Sequence, residues 1–151
     1  MGDSPSCFLP NTLYESGSSP AWAQRDLGEL KIRYLFLDSW YPRVRIGKKR
    51  VRVPVLVTLG VSANGQRAVL DLRLAGGESE QAWLEAVHAL AARNLGTPAL
   101  AVIDGNPGLA AALRMRWPRI ALQRCTNHKL WNLLAQAPAH CARNWQRIIG
   151  G

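Results

Sequence analysis

The sequence predicts an α/β protein built on a mixed sheet, three antiparallel strands followed by α/β units, and three observations predict it. An apolar run, Leu100 to Ile103, closes on Asp104 and turns through Gly105-Asn106-Pro107 into a helix start. An earlier run, Ile32 to Leu37, closes on Asp38 in the same way. Strand-like patterning then dominates as far as Leu72, after which helical spacing alternates with short apolar strands. A chain of 151 residues suits one domain with its own core, and a hydrophobic content of 48% argues against disorder.

Residues 1–28 contain Pro5, Pro10, Pro20 and Ser16-Gly17-Ser18-Ser19 without sustained periodicity and read as a mobile lead-in. One helical turn is expected at Ala21–Leu27, with Trp22 packed on the domain. Residues 29–142 form the core and 143–151 a tail. From Leu30 the pattern is strand-like through Asp38, extending toward Val44, and Gly47-Lys48 marks a turn. Val51, Val53, Val55 and Val57 alternate with Arg52, Pro54, Leu56 and Thr58, the period of a half-buried strand. Pro54 has no amide hydrogen, so that strand requires a bulge or a late start. Asn64-Gly65, between Leu59-Gly60-Val61 and Ala68 to Leu72, signals a tight hairpin.

Gly76-Gly77 closes this meander. Ser79 is an expected N-cap, Glu78 and Glu80 suit the positive end of the helix dipole, and Trp83, Ala86, Val87, Leu90 and Ala91 recur at helical spacing. Gly96 and Pro98 stop that helix, and His88, off its apolar stripe, is expected on the surface. After the strand to Asp104, Asn106 caps a second helix with Pro107 at its first position, where a missing amide hydrogen costs nothing. Leu109, Ala112, Leu113 and Trp117 give its buried face, and Pro118 ends it. Arg119 to Arg124 reads as a strand, and Thr126 to Leu134 as a third helix stopped by Pro138.

Charge narrows the function. Lys and Arg number 19 against 10 Asp and Glu, a net +9, which favours a polyanionic partner, most commonly nucleic acid. Arg43, Arg45, Lys48, Lys49, Arg50 and Arg52 cluster around one turn as candidate DNA-binding residues, and no acid follows Asp104. The competing reading of that cluster is a solvated basic hairpin. No apolar run reaches membrane-spanning length, and Met1-Gly2-Asp3-Ser4-Pro5 lacks a signal-peptide pattern. Scattered cysteines suit a reducing compartment, so a cytoplasmic protein without a membrane partner is expected.

Strands that end in Asp38 and Asp104, lying side by side, would bring two carboxylates to one sheet edge, and hard oxygen donors suit divalent magnesium. Singly, each aspartate also fits a turn or cap. Cys125 and His128 have ligand-like spacing, with His140 or Cys141 available to complete a zinc set. Adjacent residues seldom both reach one tetrahedral ion, so zinc is not expected. Of Trp40, Trp83, Trp117, Trp131 and Trp145, all but Trp40 fall in or beside expected helices and are assigned to core packing; Trp40 adjoins Asp38 and the basic turn.

Arg25-Asp26-Leu27, Leu37-Asp38-Ser39-Trp40-Tyr41-Pro42-Arg43-Val44-Arg45, Gly76-Gly77-Glu78-Ser79-Glu80, Val102-Ile103-Asp104-Gly105 and Gln123-Arg124-Cys125-Thr126-Asn127-His128 together resemble the catalytic core of Mutator-type bacterial insertion-sequence transposases, over residues 22–142. The order of elements resembles the ribonuclease H-like fold, with first and fourth strands adjacent. The resemblance implies a DDE transposase that cleaves and transfers strands of double-stranded DNA at insertion-element ends, in a possible homo-oligomer. It implies catalytic Asp38 and Asp104 holding two Mg2+ ions with a distant glutamate, Asp38 bridging both ions and Asp104 binding one. Cys125 and His128 are then a signature near the active site. The chain departs from the pattern because no Asp or Glu follows Asp104, while Glu78, Glu80 and Glu85 precede it and are poor substitutes. The family's N-terminal helical DNA-binding region has no counterpart either. The chain therefore reads as a truncated or frame-shifted core lacking the C-terminal acidic helix, inactive in isolation, with Asn144–Gly151 as an out-of-frame tail. A non-catalytic DNA-binding module and a ribonuclease H-like nuclease completed by another chain are the alternatives. Loss of a flanking helix would leave an apolar sheet face open.

Overall fold

The computed structural model describes residues 20–77 and 79–138; the lead-in to residue 19, Glu78, His140, Cys141, Trp145 and the 143–151 tail lie outside them. Strand β1 (Ile32–Trp40) sets the faces of the sheet. Ile32, Leu35 and Leu37 are buried, whereas Tyr34, Phe36 and Asp38 are exposed, the two-residue alternation of a strand with one covered face.

Strands β4 (Val55–Ser62) and β5 (Arg67–Leu74) continue antiparallel from β1, and β6 (Leu100–Ile103) and β7 (Ala121–Arg124) add parallel on its other side, giving the order β5-β4-β1-β6-β7. The sheet is thus mixed, as the order of periodicities predicts. Helices α2 (Glu80–Ala92) and α3 (Pro107–Arg116) cover one face. Trp83, Val87, Leu90, Leu109 and Leu113 share one core cluster with Leu35, Leu37, Leu56, Leu70, Ala101 and Ile103. On the other face Tyr34, Phe36, Leu72 and Leu74 are exposed, so an apolar surface stands open there among the described residues.

The caps behave as their sequence suggests. Ser79 Oγ accepts from the Ala82 amide at 3.1 Å, and Asn106 Oδ1 accepts from Gly108 and Leu109 at 2.9 and 3.2 Å. Helix α4 (Thr126–Gln136) follows β7 directly.

Three expectations need correction. The first strand does not run on toward Val44: β1 ends at Trp40, and β2 (Arg43–Ile46) with β3 (Lys49–Arg52) forms a separate two-stranded ribbon. Pro42 and Pro54 flank that ribbon and offer no amide hydrogen; each accepts instead, from Val53 at 3.1 Å and Ala75 at 3.0 Å, so the ladder breaks there. Past Pro54 the strand does start late, at Val55, as that proline requires, and Leu56 and Thr58 take its buried face. Helix α2 ends at Ala92 rather than near Gly96, because Asn94 takes a left-handed conformation (φ 63°) and Arg93 is drawn into the interior. Trp131 is 61% exposed, unlike Trp83 and Trp117, since α4 has no element packed over that side among the described residues.

A bulge between β4 and β5 adds Leu70 opposite the Thr58–Leu59 step, leaving Leu70 and Asp71 buried in succession. Asp71 meets Arg93 at 3.5 Å and Arg73 at 3.4 Å, and Arg93 donates to Leu70 O at 2.9 Å. Burial lowers the Arg93 pKa, a shift that Asp71 opposes and Arg73 reinforces. Residues 20–28, read from sequence as the end of the lead-in, dock on this corner. Helix α1 (Pro20–Gln24) leads into Arg25, which stacks over Trp22 and donates to Val69 O at 2.5 Å. The Leu27 side chain is buried, and its amide donates to Arg93 O at 2.7 Å. Asp26 accepts from Gly28 at 2.7 Å and from the Asn94 side-chain amide.

Candidate functional site

Asp38 lies near the end of β1 and Asp104 just past the end of β6. These strands run parallel, with Phe36 opposite Val102 as the last registered pair, so two further residues bring Asp38 and Asp104 to matching positions. Adjacent parallel strands therefore deliver both carboxylates to one carboxyl edge, where α/β sheets place their ligand sites. Asp38 also continues an apolar row of the open face, standing across from Val57, which pairs in turn with Leu72.

Local structure holds each carboxylate. Asp104 Oδ1 accepts from the Asn106 amide at 2.8 Å, a side-chain-closed turn that leads into the α3 cap. Gly105 between them has φ +103°, and a Cβ there would lie 2.8 Å from Arg124 Nε, so its missing side chain lets the Arg124 guanidinium pass against the turn that follows Asp104. Asp38 Oδ1 accepts from the Ser39 amide at 2.8 Å, with the side chain 56% exposed.

The Cys-x-x-His segment reaches this edge as well. The Cys125 amide donates to Ile103 O at 2.6 Å, extending the β6–β7 pairing to the base of Asp104. Cys125 is the N-cap residue of α4 but makes no side-chain capping bond. His128, one turn in, places Nε2 3.8 Å from Asp38 Oδ1, while its buried Nδ1 has no partner among the described residues. The structure thus brings Asp38, Asp104, Arg124 and His128 to one edge. Arg124 stands in the Gln123–His128 motif, but the sequence alone assigns it no site role; its signal was a basic residue ending a short strand directly before Cys125. No cluster of three or more His, Cys, Asp or Glu side chains is placed to hold a metal ion among the described residues.

The basic residues follow immediately. In the ribbon Arg43 faces Arg52, Arg45 faces Arg50, Val44 faces Val51 and Ile46 faces Lys49, with Gly47-Lys48 as the turn. Every ribbon residue is exposed. A pocket of about 450 Å³ lies elsewhere, at the start of β1, lined by Leu27, Lys31, Ile32, Arg33 and Thr97 among others. No carboxylate lines it, and it is remote from both aspartates along the strand. No helix among the described residues is long and apolar enough to cross a membrane.

Known proteins are similar to this sequence. It is 40% identical over 108 residues to the transposase for insertion sequence element IS406 of Burkholderia multivorans, covering 72% of this chain and 27% of that protein. It is 37% identical over 121 residues to the transposase for ISRM5 of Rhizobium meliloti, covering 80% and 30%. With the transposase for IS6120 of Mycolicibacterium smegmatis it shares 32% over 137 residues, 91% of this chain and 42% of the relative. The chain thus spans between 27% and 42% of the length of these curated relatives. The model of the transposase Mutator family matches residues 12–149, and the chain belongs to that family.

Proposed function

We propose that this chain is a partial catalytic core of an insertion-sequence transposase, ribonuclease H-like in fold, whose Asp38 and Asp104 hold Mg2+ for cleavage and transfer of DNA strands at element ends. The observation that carries the reading is the matched placement of the two aspartates on neighbouring parallel strands. The strand order supports the fold assignment, because the first and fourth strands of the main sheet, β1 and β6, are adjacent, with three antiparallel strands preceding two parallel additions.

The donor chemistry fits magnesium, which takes one or two carboxylates, keeps several waters and leaves positions for substrate phosphates. Asp104 Oδ1 is committed to the Asn106 amide, so Oδ2 is the oxygen it offers. When bound, a divalent ion polarises a phosphodiester and acidifies its own water. The protein's part is orientation: the Asn106 turn aims Asp104, the Ser39 amide and His128 flank Asp38, and Arg124 adds positive charge for a phosphate. No acidic residue follows Asp104 among these 151 residues, so on their own they are expected to bind metal and DNA without strand transfer.

Titration calorimetry with Mg2+ and Mn2+ tests the site directly. Asp38→Asn and Asp104→Asn should each abolish the metal heat, while DNA affinity in EDTA changes less than about twofold, since neither carboxylate contributes a cationic phosphate contact. Metal binding unaffected by either substitution would overturn the assignment. The exposed basic ribbon favours a second reading, a DNA-binding module without catalysis. Salt-dependent DNA binding in a chain that binds no metal would select it. Metal-dependent nicking of plain duplex DNA, lost in Asp38→Asn, would instead select a nuclease.

A further inference from the structure

The ribbon is two-sided in a way its sequence conceals. Arg43, Arg45, Arg50 and Arg52 occupy one face as two cross-strand pairs, while Val44, Val51, Ile46 and Lys49 occupy the other. Neighbours on one face stand about 7 Å apart along a strand and about 5 Å across the pair. Like charges directly opposite destabilise a hairpin. Nothing local offsets that repulsion, since no Asp or Glu lies between Asp38 and Asp71 and no described carboxylate pairs with these arginines. The flanking Pro42 and Pro54 keep the ribbon out of the main sheet, so its arginine face stays exposed.

We propose that this face is a phosphate-binding surface, seating the backbone of duplex DNA on Arg43, Arg45, Arg50 and Arg52, whereas Lys48 and Lys49 make no phosphate contact. The inference rests on the DNA reading above and divides a basic cluster that is uniform in sequence into a binding face and a bystander turn. Phosphates rather than base edges are the partner, because only fixed negative charge relieves four facing guanidiniums; a neutral base edge leaves the repulsion in place. Arg45 also donates through Nε to Gly47 O at 3.2 Å, so it helps close the turn. Arg43 and Arg52 pair with each other at the open end of the ribbon, away from that turn, and are the cleaner probes. Because β1 ends two residues before Arg43, a duplex held on this face lies close in sequence to the strand end that carries Asp38.

Matched pairs test it. Fluorescence anisotropy with a labelled duplex of arbitrary sequence, across about 50 to 200 mM salt, gives the slope of log K against log salt, whose magnitude falls by about 0.9 for each phosphate no longer neutralised. Arg43→Gln with Arg52→Gln should flatten the slope by about 2 and weaken binding on the order of 50-fold at 0.1 M salt. Lys48→Gln with Lys49→Gln removes the same charge and should leave the slope unchanged. Arg43→Lys with Arg52→Lys should restore the slope, and circular dichroism melts confirm that all three variants fold. Equal losses from the arginine and lysine pairs, or no loss from the arginine pair, would overturn the inference while the DNA reading stands. A loss confined to one duplex sequence would overturn it in favour of base contacts. Absence of DNA binding by the unsubstituted chain would remove the DNA reading itself, and the inference with it.

Discussion

Asp26 shows how a single polar residue fastens a chain end. Hydrogen bonds from the Asn94 side chain and the Gly28 amide hold its carboxyl below the ordinary value of 3.8. A carboxylate depressed in the folded state contributes stability above its unfolded pKa and loses it as pH falls through the folded one. Asp26→Asn should therefore melt below the unsubstituted chain at neutral pH, with the gap narrowing below about pH 4, as thermal melts across that range would record. Asp104 carries a separable structural duty. Asp104→Asn keeps an oxygen for the Asn106 amide and should cost a few tenths of a kcal/mol, whereas Asp104→Ala loses the turn and about 1 kcal/mol in chemical denaturation. Both aspartates were legible in the sequence because each ends an apolar run before turn-forming residues. Asp71 was not: a strand alternates by rule, and only the bulge at Leu70, set by pairing with a distant strand, buries it against Arg93. The contact between His128 and Asp38 was equally hidden, since it joins residues from opposite ends of the core.

Helix starts were readable because capping is local. Ser79, Asn106 and Pro107 satisfy or avoid the orphan amides within one turn, and no distant contact can undo that. Ends were less so: Gly96 is the stronger stop signal, but the buried Arg93 and the Leu27 amide on its carbonyl halt α2 earlier. The ribbon's turn at Gly47-Lys48 was readable, but its separation from the main sheet was not, because Pro42 and Pro54 on either side of it jointly break one ladder. Between elements, packing is tight at Gly60 in β4, where an added Cβ would sit 2.8 Å from Leu70 Cδ1 and 2.9 Å from Ile32 Cδ1. Both neighbours are core residues, so Gly60→Ala is expected to cost about 1–3 kcal/mol, measured by urea unfolding. Trp83, buried beneath α2, should cost about 3–5 kcal/mol on truncation to alanine.

At the scale of the molecule, one face of the sheet is sealed by α2 and α3 while the other presents Tyr34, Phe36, Leu72 and the 74%-exposed Leu74. Such a surface favours association, so the chain should bind a hydrophobic dye and sediment heavier as concentration rises. Phe36→Ser with Leu72→Ser should reduce both effects; a dye-silent monomer before substitution would count against an open face. The parallel pairing of β1 with β6 has a kinetic consequence. Asp38 and Asp104 are joined through the whole antiparallel meander and α2, so a chain with only its hairpins formed holds the two carboxylates apart. Long-range parallel pairings are the slow ones to form. If Asp38 and Asp104 hold magnesium as proposed, an ion that recognises only the finished pair would slow unfolding and leave the folding rate untouched, a lock on a completed structure rather than a template for it.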